Sequence, residues 1–297
     1  MELVDKTFYI VDVFAEEKYA GNPLAVVRDA DDLSIDIMQR IAREMNYSET
    51  TFIFSNYRYD EGYMVRIFTP EREVPFAGHP SIGTAYIIQH EIIRKPIETL
   101  YLNLKIGRIP IYINYIEGKI DILWMEQKQP TFGRKIDRRI ISKVLGLDKE
   151  ELDGRYPIQE VSTGLPFIIV PIKNLEAVRS IEIDKRLYFR LIKDLEAKAI
   201  LVFSPETYDK ANHLNVRVFA DYYGVPEDPA TGSANGCLAG YLVKYRYFDD
   251  EKIDIRVEQG YEIGRKSLLY LKASREKNSI KVYVGGRVQM IAKGLLI

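Results

Sequence analysis

FTPEREVPFAGHPS (residues 68–81) and FADYYGVPEDPATGSA (residues 219–234) are the two stretches whose likeness decides the fold. Each leaves a β-type run at a phenylalanine, crosses proline-rich backbone, and reaches a glycine-led triplet that opens a helical stretch. Outward from the first loop, 8–14, 24–27, 50–54 and 64–68 read as strands, with a turn at Gly21-Asn22-Pro23. Ser34 is placed to cap a helix carrying Ile37, Met38, Ile41, Ala42 and Met45 at helical spacing. Downstream, a helix over 81–90 precedes a meander of strands at 100–104, 109–115 and 119–125. Around the second loop the order recurs. Strands fall at 160–161, 167–171, 199–203 and 214–219, with helices at 187–195 and 234–245. Further strands fall at 253–259, 267–273, 281–284 and 288–292.

The residues repeat along with the elements. Gly21-Asn22-Pro23 then LAVV matches Gly164-Leu165-Pro166 then FIIV, and Phe52-Ile53-Phe54-Ser55 matches Leu201-Val202-Phe203-Ser204. Arg66-Ile67-Phe68 matches Arg217-Val218-Phe219, and Val74-Pro75 matches Val225-Pro226. After a three-residue insertion, Gly78-His79-Pro80 falls opposite Gly232-Ser233-Ala234. A unit of roughly 150 residues has the size of a domain rather than of a solenoid repeat. The expected organisation is a first lobe over 1–118, completed by the C-terminal strand 286–297, and a duplicate lobe over 119–285. The class is α+β, with an active cleft between two pseudo-symmetric lobes.

Lys and Arg (42) nearly balance Asp and Glu (43), so no global field draws nucleic acid or anionic membrane. The basic cluster Arg134-Lys135 with Arg138-Arg139 reads as a solvated face at a helix start or linker. One cysteine, Cys237, allows neither an intramolecular disulfide nor a cysteine-based zinc site. No signal peptide or membrane-length apolar run is visible, and a cytoplasmic location is expected.

Helix N-termini present unpaired N–H groups and a positive partial charge, which suits a carboxylate. Gly78, Pro80, Ser81, Gly232, Ser233 and Ala234 are therefore the candidate substrate-binding residues. The plainer reading is a helix cap in each loop, with Pro80 in a first turn and Ser233 as an N-cap. His79 could donate a hydrogen bond or a proton, and no HxH or HExxH spacing suggests a metal. Asp228 before Pro229 is either a turn former or a carboxylate that orients a ligand. Cys237 reads as a buried small residue. Glu49, where the first helix gives way to a strand, is equally readable as an exposed acid or a catalytic base. Lys198 stands at its place in the second half.

The stretches 11–27, 48–52, 68–85, 162–167 and 227–242 resemble the phenazine-biosynthesis PhzF-like family of the diaminopimelate-epimerase-fold superfamily. FAGHP paired with EDPATGSA carries most of the specificity. The resemblance spans nearly the whole chain and implies two similar lobes, each a curved mixed sheet around a central helix. It implies an isomerase that shifts a proton at carbon without metal or organic cofactor, and a homodimer. The family's acid–base glutamate falls on Glu49, its histidine and aspartate ligands on His79 and Asp228, and its loop contacts on Gly78, Gly232 and Ser233. Related epimerases use two cysteines, whose places are taken here by His79 and Ser233 or close neighbours, so a two-thiol mechanism is disfavoured.

These readings converge on a cofactor-independent proton shift on a small carboxylate-bearing substrate, with Glu49, His79 and Asp228 as catalytic residues. A one-base amino-acid racemase or epimerase, and a non-catalytic small-acid binding protein on the same scaffold, are the alternatives. Neither nucleic acid nor membrane is an expected partner.

Overall fold

The computed structural model describes residues 5–54 and 62–297; Met1 to Val4 of the N-terminus and Ser55 of the repeat match lie outside the described residues. The chain divides into two compact units, 1–125 with 285–297, and 126–284.

The first unit contains β1 (Lys6–Val13), β2 (Asn22–Val27), α1 (Ile35–Met45), β3 (Thr50–Ile53), β4 (Tyr63–Phe68) and β5 (Glu73–Val74). These are followed by α2 (Gly78–Ile87, extended by a π-helical turn, Ile88–Ile93), β6 (Thr99–Leu104), β7 (Gly107–Ile116) and β8 (Lys119–Glu126). The second contains β9 (Thr131–Lys135), α3 (Arg138–Leu145), β10 (Gln159–Ser162), β11 (Pro166–Pro171), α4 (Leu175–Arg179) and α5 (Lys185–Ile192). It continues through β12 (Ala199–Ser204), β13 (Leu214–Phe219), α6 (Gly232–Lys244), β14 (Lys252–Gln259), β15 (Ser267–Glu276) and β16 (Ser279–Gly286). The last strand, β17 (Val288–Leu296), pairs with β1 of the first unit.

Strand pairing repeats across seven strands of each unit. In the first unit the order β17-β1-β2-β3-β4-β6-β7 runs antiparallel, antiparallel, parallel, antiparallel, parallel, antiparallel. In the second, β9-β10-β11-β12-β13-β14-β15 runs through the same six relations. The duplication read from short residue matches is thus a duplication of topology. Each parallel pair is bridged by helix, because parallel neighbours need a long crossover.

Both sheets curl around one helix. α2 touches β17 and β6, which are five strand spacings apart, about 24 Å if the sheet were flat. A helix with its side chains is only about 10–12 Å across, so the sheet must curve to reach it from both ends. α6 meets β10 and β15 in the same way. Both helices are buried on nearly every face, and their sequences are accordingly small and apolar all round. A Cβ on Gly83 would come within 2.7 Å of Leu24, and one on Gly240 within 2.7 Å of Pro130. Glycine there sets how closely the sheet can wrap.

The outer helices are amphipathic instead. α1 lays Met38 and Ala42 against Val27, Phe52 and Phe68. Ile141, Val144 and Leu145 of α3 join Tyr188 and Ile192 of α5 over Ile168, Val170, Ile200 and Val202. Among the described residues no helix is long and apolar enough to cross a membrane.

Three sequence readings need correction. The central helices begin at Gly78 and Gly232 rather than at 81 and 234, because glycine and proline tolerate a first turn that propensity alone disfavours. Arg134 and Lys135 lie in β9, while Arg138 and Arg139 open α3. The match of Val74-Pro75 to Val225-Pro226 is coincidental. Val74 pairs with Ile67, whereas Val225 bridges to Ala220, and it is Asp228 that donates its N–H to Val218, the counterpart of Ile67. The three extra residues therefore lie upstream, at the 3-10 turn Asp221–Tyr223. From there to the helix the two loops align at a constant offset, with Val74 opposite Asp228.

Candidate active site

The loop that delivers each central helix is fastened to its strand by an arginine fork. Arg66 donates from Nε and an Nη to the two oxygens of Glu73, at 2.8 and 2.7 Å. Arg217 holds Glu227 in the same way at 2.9 and 2.8 Å. Arg217 also donates to the carbonyls of Val178 and Ile181. Bidentate geometry fixes direction as well as distance. Sequence reasoning did not single out these residues, although the repetition of Arg66 at Arg217 and of Glu73 at Glu227 was available to it.

Among the described residues, four of the six α-helices are N-capped by side chains, those of Ser34, Asp137, Asn174 and Asp184. The two central helices are not. Ala77 has no side-chain acceptor, and the Thr231 hydroxyl points elsewhere, to Asp228. Ser233, expected as an N-cap, is instead the second residue of α6. Hence the first-turn N–H groups at Gly78 and His79, and at Gly232, Ser233 and Ala234, have no side-chain cap and suit an anion. Pro80, in the first turn of α2, has no N–H to offer. Ser81 is buried, and its hydroxyl donates to the Ala77 carbonyl at 2.8 Å.

In the first unit Glu49 and His79 come together. The left-handed residue Asn46 ends α1, and the chain then turns into β3 with Glu49 just before it. Glu49 Oε2 lies 3.3 Å from His79 Nε2, with the two side chains 18% and 8% exposed. Burial pushes the His79 imidazole down to about 3, so it is neutral near pH 7 and keeps one N–H to donate. The unfolded chain takes up a proton below the ordinary value of 6.5, which the folded chain refuses until about pH 3. Acidification through that window therefore removes stability, by up to about 1.4 kcal/mol per pH unit. His79→Gln is expected to lose less stability than the parent between pH 7 and 4, measured by urea denaturation. Equal losses would mean that the folded imidazole titrates near its ordinary value.

Lys198, at the place of Glu49 in the second unit, donates from Nζ to the carbonyls of Ile192 and Leu195, both at 2.6 Å, closing the end of α5. Its role is structural, so an acid was never required by the scaffold. In the second unit Asp228 is held by Thr231 and, through its carbonyl, by Gln259 at 2.7 Å. Cys237 is buried, as expected, with its thiol pushed up to about 12, and is no nucleophile. His90 is exposed beside Glu91, and His213 accepts from the Arg256 N–H. Among the described residues no three His, Cys, Asp or Glu side chains cluster as metal ligands.

The duplicated α+β arrangement is a fold found in solved structures of a racemase-like kind. A probable proline racemase from Agrobacterium radiobacter K84 shares this fold at a TM-score of 0.65 and 10% identity, over 98% of this chain and 93% of that one. The profile of the family described as "Phenazine biosynthesis-like protein" matches residues 11–294. The trans-2,3-dihydro-3-hydroxyanthranilate isomerase of Pseudomonas aeruginosa is 34% identical over 97% of this chain and 98% of its own length. The Bacillus anthracis phenazine biosynthesis protein of the PhzF family superposes with a TM-score of 0.90 at 28% identity, covering 99% of this chain and all of that one. The chain belongs to the phenazine biosynthesis-like (PhzF) family, and it is an isomerase of that family.

Proposed function

We propose that this isomerase moves a proton between two carbons of a small unsaturated acid without a metal or organic cofactor. The Pseudomonas aeruginosa relative's substrate, trans-2,3-dihydro-3-hydroxyanthranilate, is the first compound to try. The observation that carries the reading is the 3.3 Å contact of Glu49 with His79 at the uncapped start of α2. Glu49 takes a proton from one carbon, exchanges it with solvent, and delivers a proton to another carbon, so the carbon skeleton and the electron count are unchanged. A base at carbon works best when partly withdrawn from water, as this carboxylate is. The neutral His79 donates a hydrogen bond that orients either the carboxylate or a substrate oxygen. The uncapped N–H groups at Gly78 and His79 suit the substrate carboxylate and developing negative charge, and those at Gly232, Ser233 and Ala234 suit an anion in the same way. Asp228 orients the substrate's polar ring substituents.

Turnover in deuterated water tests this. The product is expected to carry solvent deuterium at the carbon that gains the proton, with no change on adding a chelator. Inversion of configuration in an amino-acid panel, with no double-bond movement, would replace this reading with a racemase.

A further inference from the structure

The duplication supplies an internal control for the residues around Asp228. Thr231 donates its hydroxyl proton to Asp228 Oδ2. That direction is imposed, because Thr231 Oγ1 itself accepts from Gln259 Nε2 at 3.0 Å. Gln259, fully buried at the end of β14, also donates to the Asp228 carbonyl at 2.7 Å, which fixes which end of its amide faces the loop. Its Oε1 accepts from the Thr231 N–H at 3.2 Å and from Asn235 Nδ2 at 2.9 Å. Asn235 is fully buried as well.

The first unit builds the same corner without this network. The offset that places Val74 opposite Asp228 places Ala77 opposite Thr231 and Ser81 opposite Asn235. Ser81 and Asn235 confirm it, since each donates to the carbonyl four residues back. Strand registers set Leu104, the last residue of β6, opposite Gln259, the last residue of β14. Where the loop carries valine, the supporting positions are Ala77, Ser81 and Leu104, and the hydroxyl of Ser81 serves only its own helix. Where it carries aspartate, they are Thr231, Asn235 and Gln259. The corner therefore folds without the polar set, and the set accompanies the carboxylate. Burying Asn235 and Gln259 beside the half-buried Asp228 and Thr231 has a cost that an apolar corner avoids.

We propose that Thr231, Asn235 and Gln259 are positioning residues, a relay that holds the Asp228 carboxylate in one orientation for the reaction. This rests on the assignment of Asp228 to the substrate made above. Misplacing a group by about an ångström can cost on the order of a hundredfold in rate.

The test replaces each residue by its first-unit counterpart, T231A, N235S and Q259L, singly and together, with Asp228 intact and with Asp228→Asn. The probe is trans-2,3-dihydro-3-hydroxyanthranilate. The triple variant is expected to keep its thermal midpoint, because the first unit folds with these residues. Its kcat should fall about a hundredfold while KM moves less. It should lose little more in the Asp228→Asn background, and T231S should retain most of the activity that T231A loses. Equal losses in both backgrounds would overturn the relay.

The carboxyl 13C resonance of Asp228, identified by its absence from D228N, needs no turnover. It is expected to move in T231A and Q259L and to return in T231S. An unmoved resonance overturns the relay whatever the kinetics. If the parent protein leaves the probe unchanged while the resonance moves, the proposed substrate fails and the relay stands.

Discussion

Glu49→Gln is expected to lower turnover about a thousandfold while leaving substrate affinity within a few-fold of the parent. The substitution keeps the length and planarity of the side chain but removes its ability to take up a proton. Loss of a positioned acid–base group costs roughly a hundredfold to ten-thousandfold, and the proposed reaction asks one group to act twice, first as base and then as acid. Deuterium exchange should fall together with turnover, because both need the same proton transfer. Affinity should survive because the N–H groups proposed to bind the carboxylate belong to the helix backbone and are untouched. The fold should survive too, since Glu49 is not among the fully buried polar groups. A variant whose kcat stays within tenfold of the parent, under conditions where chemistry limits the rate, would remove Glu49 from the mechanism.

The second large effect concerns stability. Arg217→Met is expected to cost about 3–5 kcal/mol, the range for removing one partner of a buried ion pair. The side chains of Arg217 and Glu227 are 9% and 11% exposed. Without the guanidinium, Glu227 would be left as a buried charge, and the carbonyls of Val178 and Ile181 would lose a charged donor. The corresponding Arg66→Met in the first unit should cost distinctly less. Arg66 is 20% exposed, and Glu73 keeps a second cation, Lys105 Nζ at 2.6 Å. Urea denaturation of both variants decides the matter, and equal midpoints would show that burial does not set the cost. Replacing both partners, Arg217→Met with Glu227→Leu, should recover much of the loss because no charge is then stranded.

Much of this protein can be read along the chain, because much of it is local. Ser34 caps α1 from its own neighbourhood, and the spacing of Ile37, Met38, Ile41, Ala42 and Met45 announces the face that packs. β-branched and aromatic runs mark the strands, and the duplication is legible because both halves must satisfy the same curled sheet around the same small-residue helix. The loops with His79 and Asp228 stand out for the same reason: glycine and proline punctuate the backbone wherever they occur.

What the chain alone left open was every choice that depends on a distant partner. Glu49 was equally readable as a surface acid or a base, and only the fold sets it 3.3 Å from His79 and takes that imidazole out of water. Lys198 could be opposed to Glu49 by counting, but its bonds to Ile192 and Leu195 show that the position serves a helix end. The three-residue insertion could be counted in the sequence but not placed, because Val-Pro recurs by chance and only strand pairing distinguishes Val225 from the true counterpart of Val74. Gln259 was the end of a predicted strand and no more. Its meaning comes from lying across from Asp228 and Thr231, 31 and 28 residues away. Propensity and periodicity are properties of neighbours in sequence, so they determined the elements and their doubling. Proton affinity and hydrogen-bond direction depend on which side chains share a desolvated space, and that was decided only when the sheets closed around their helices.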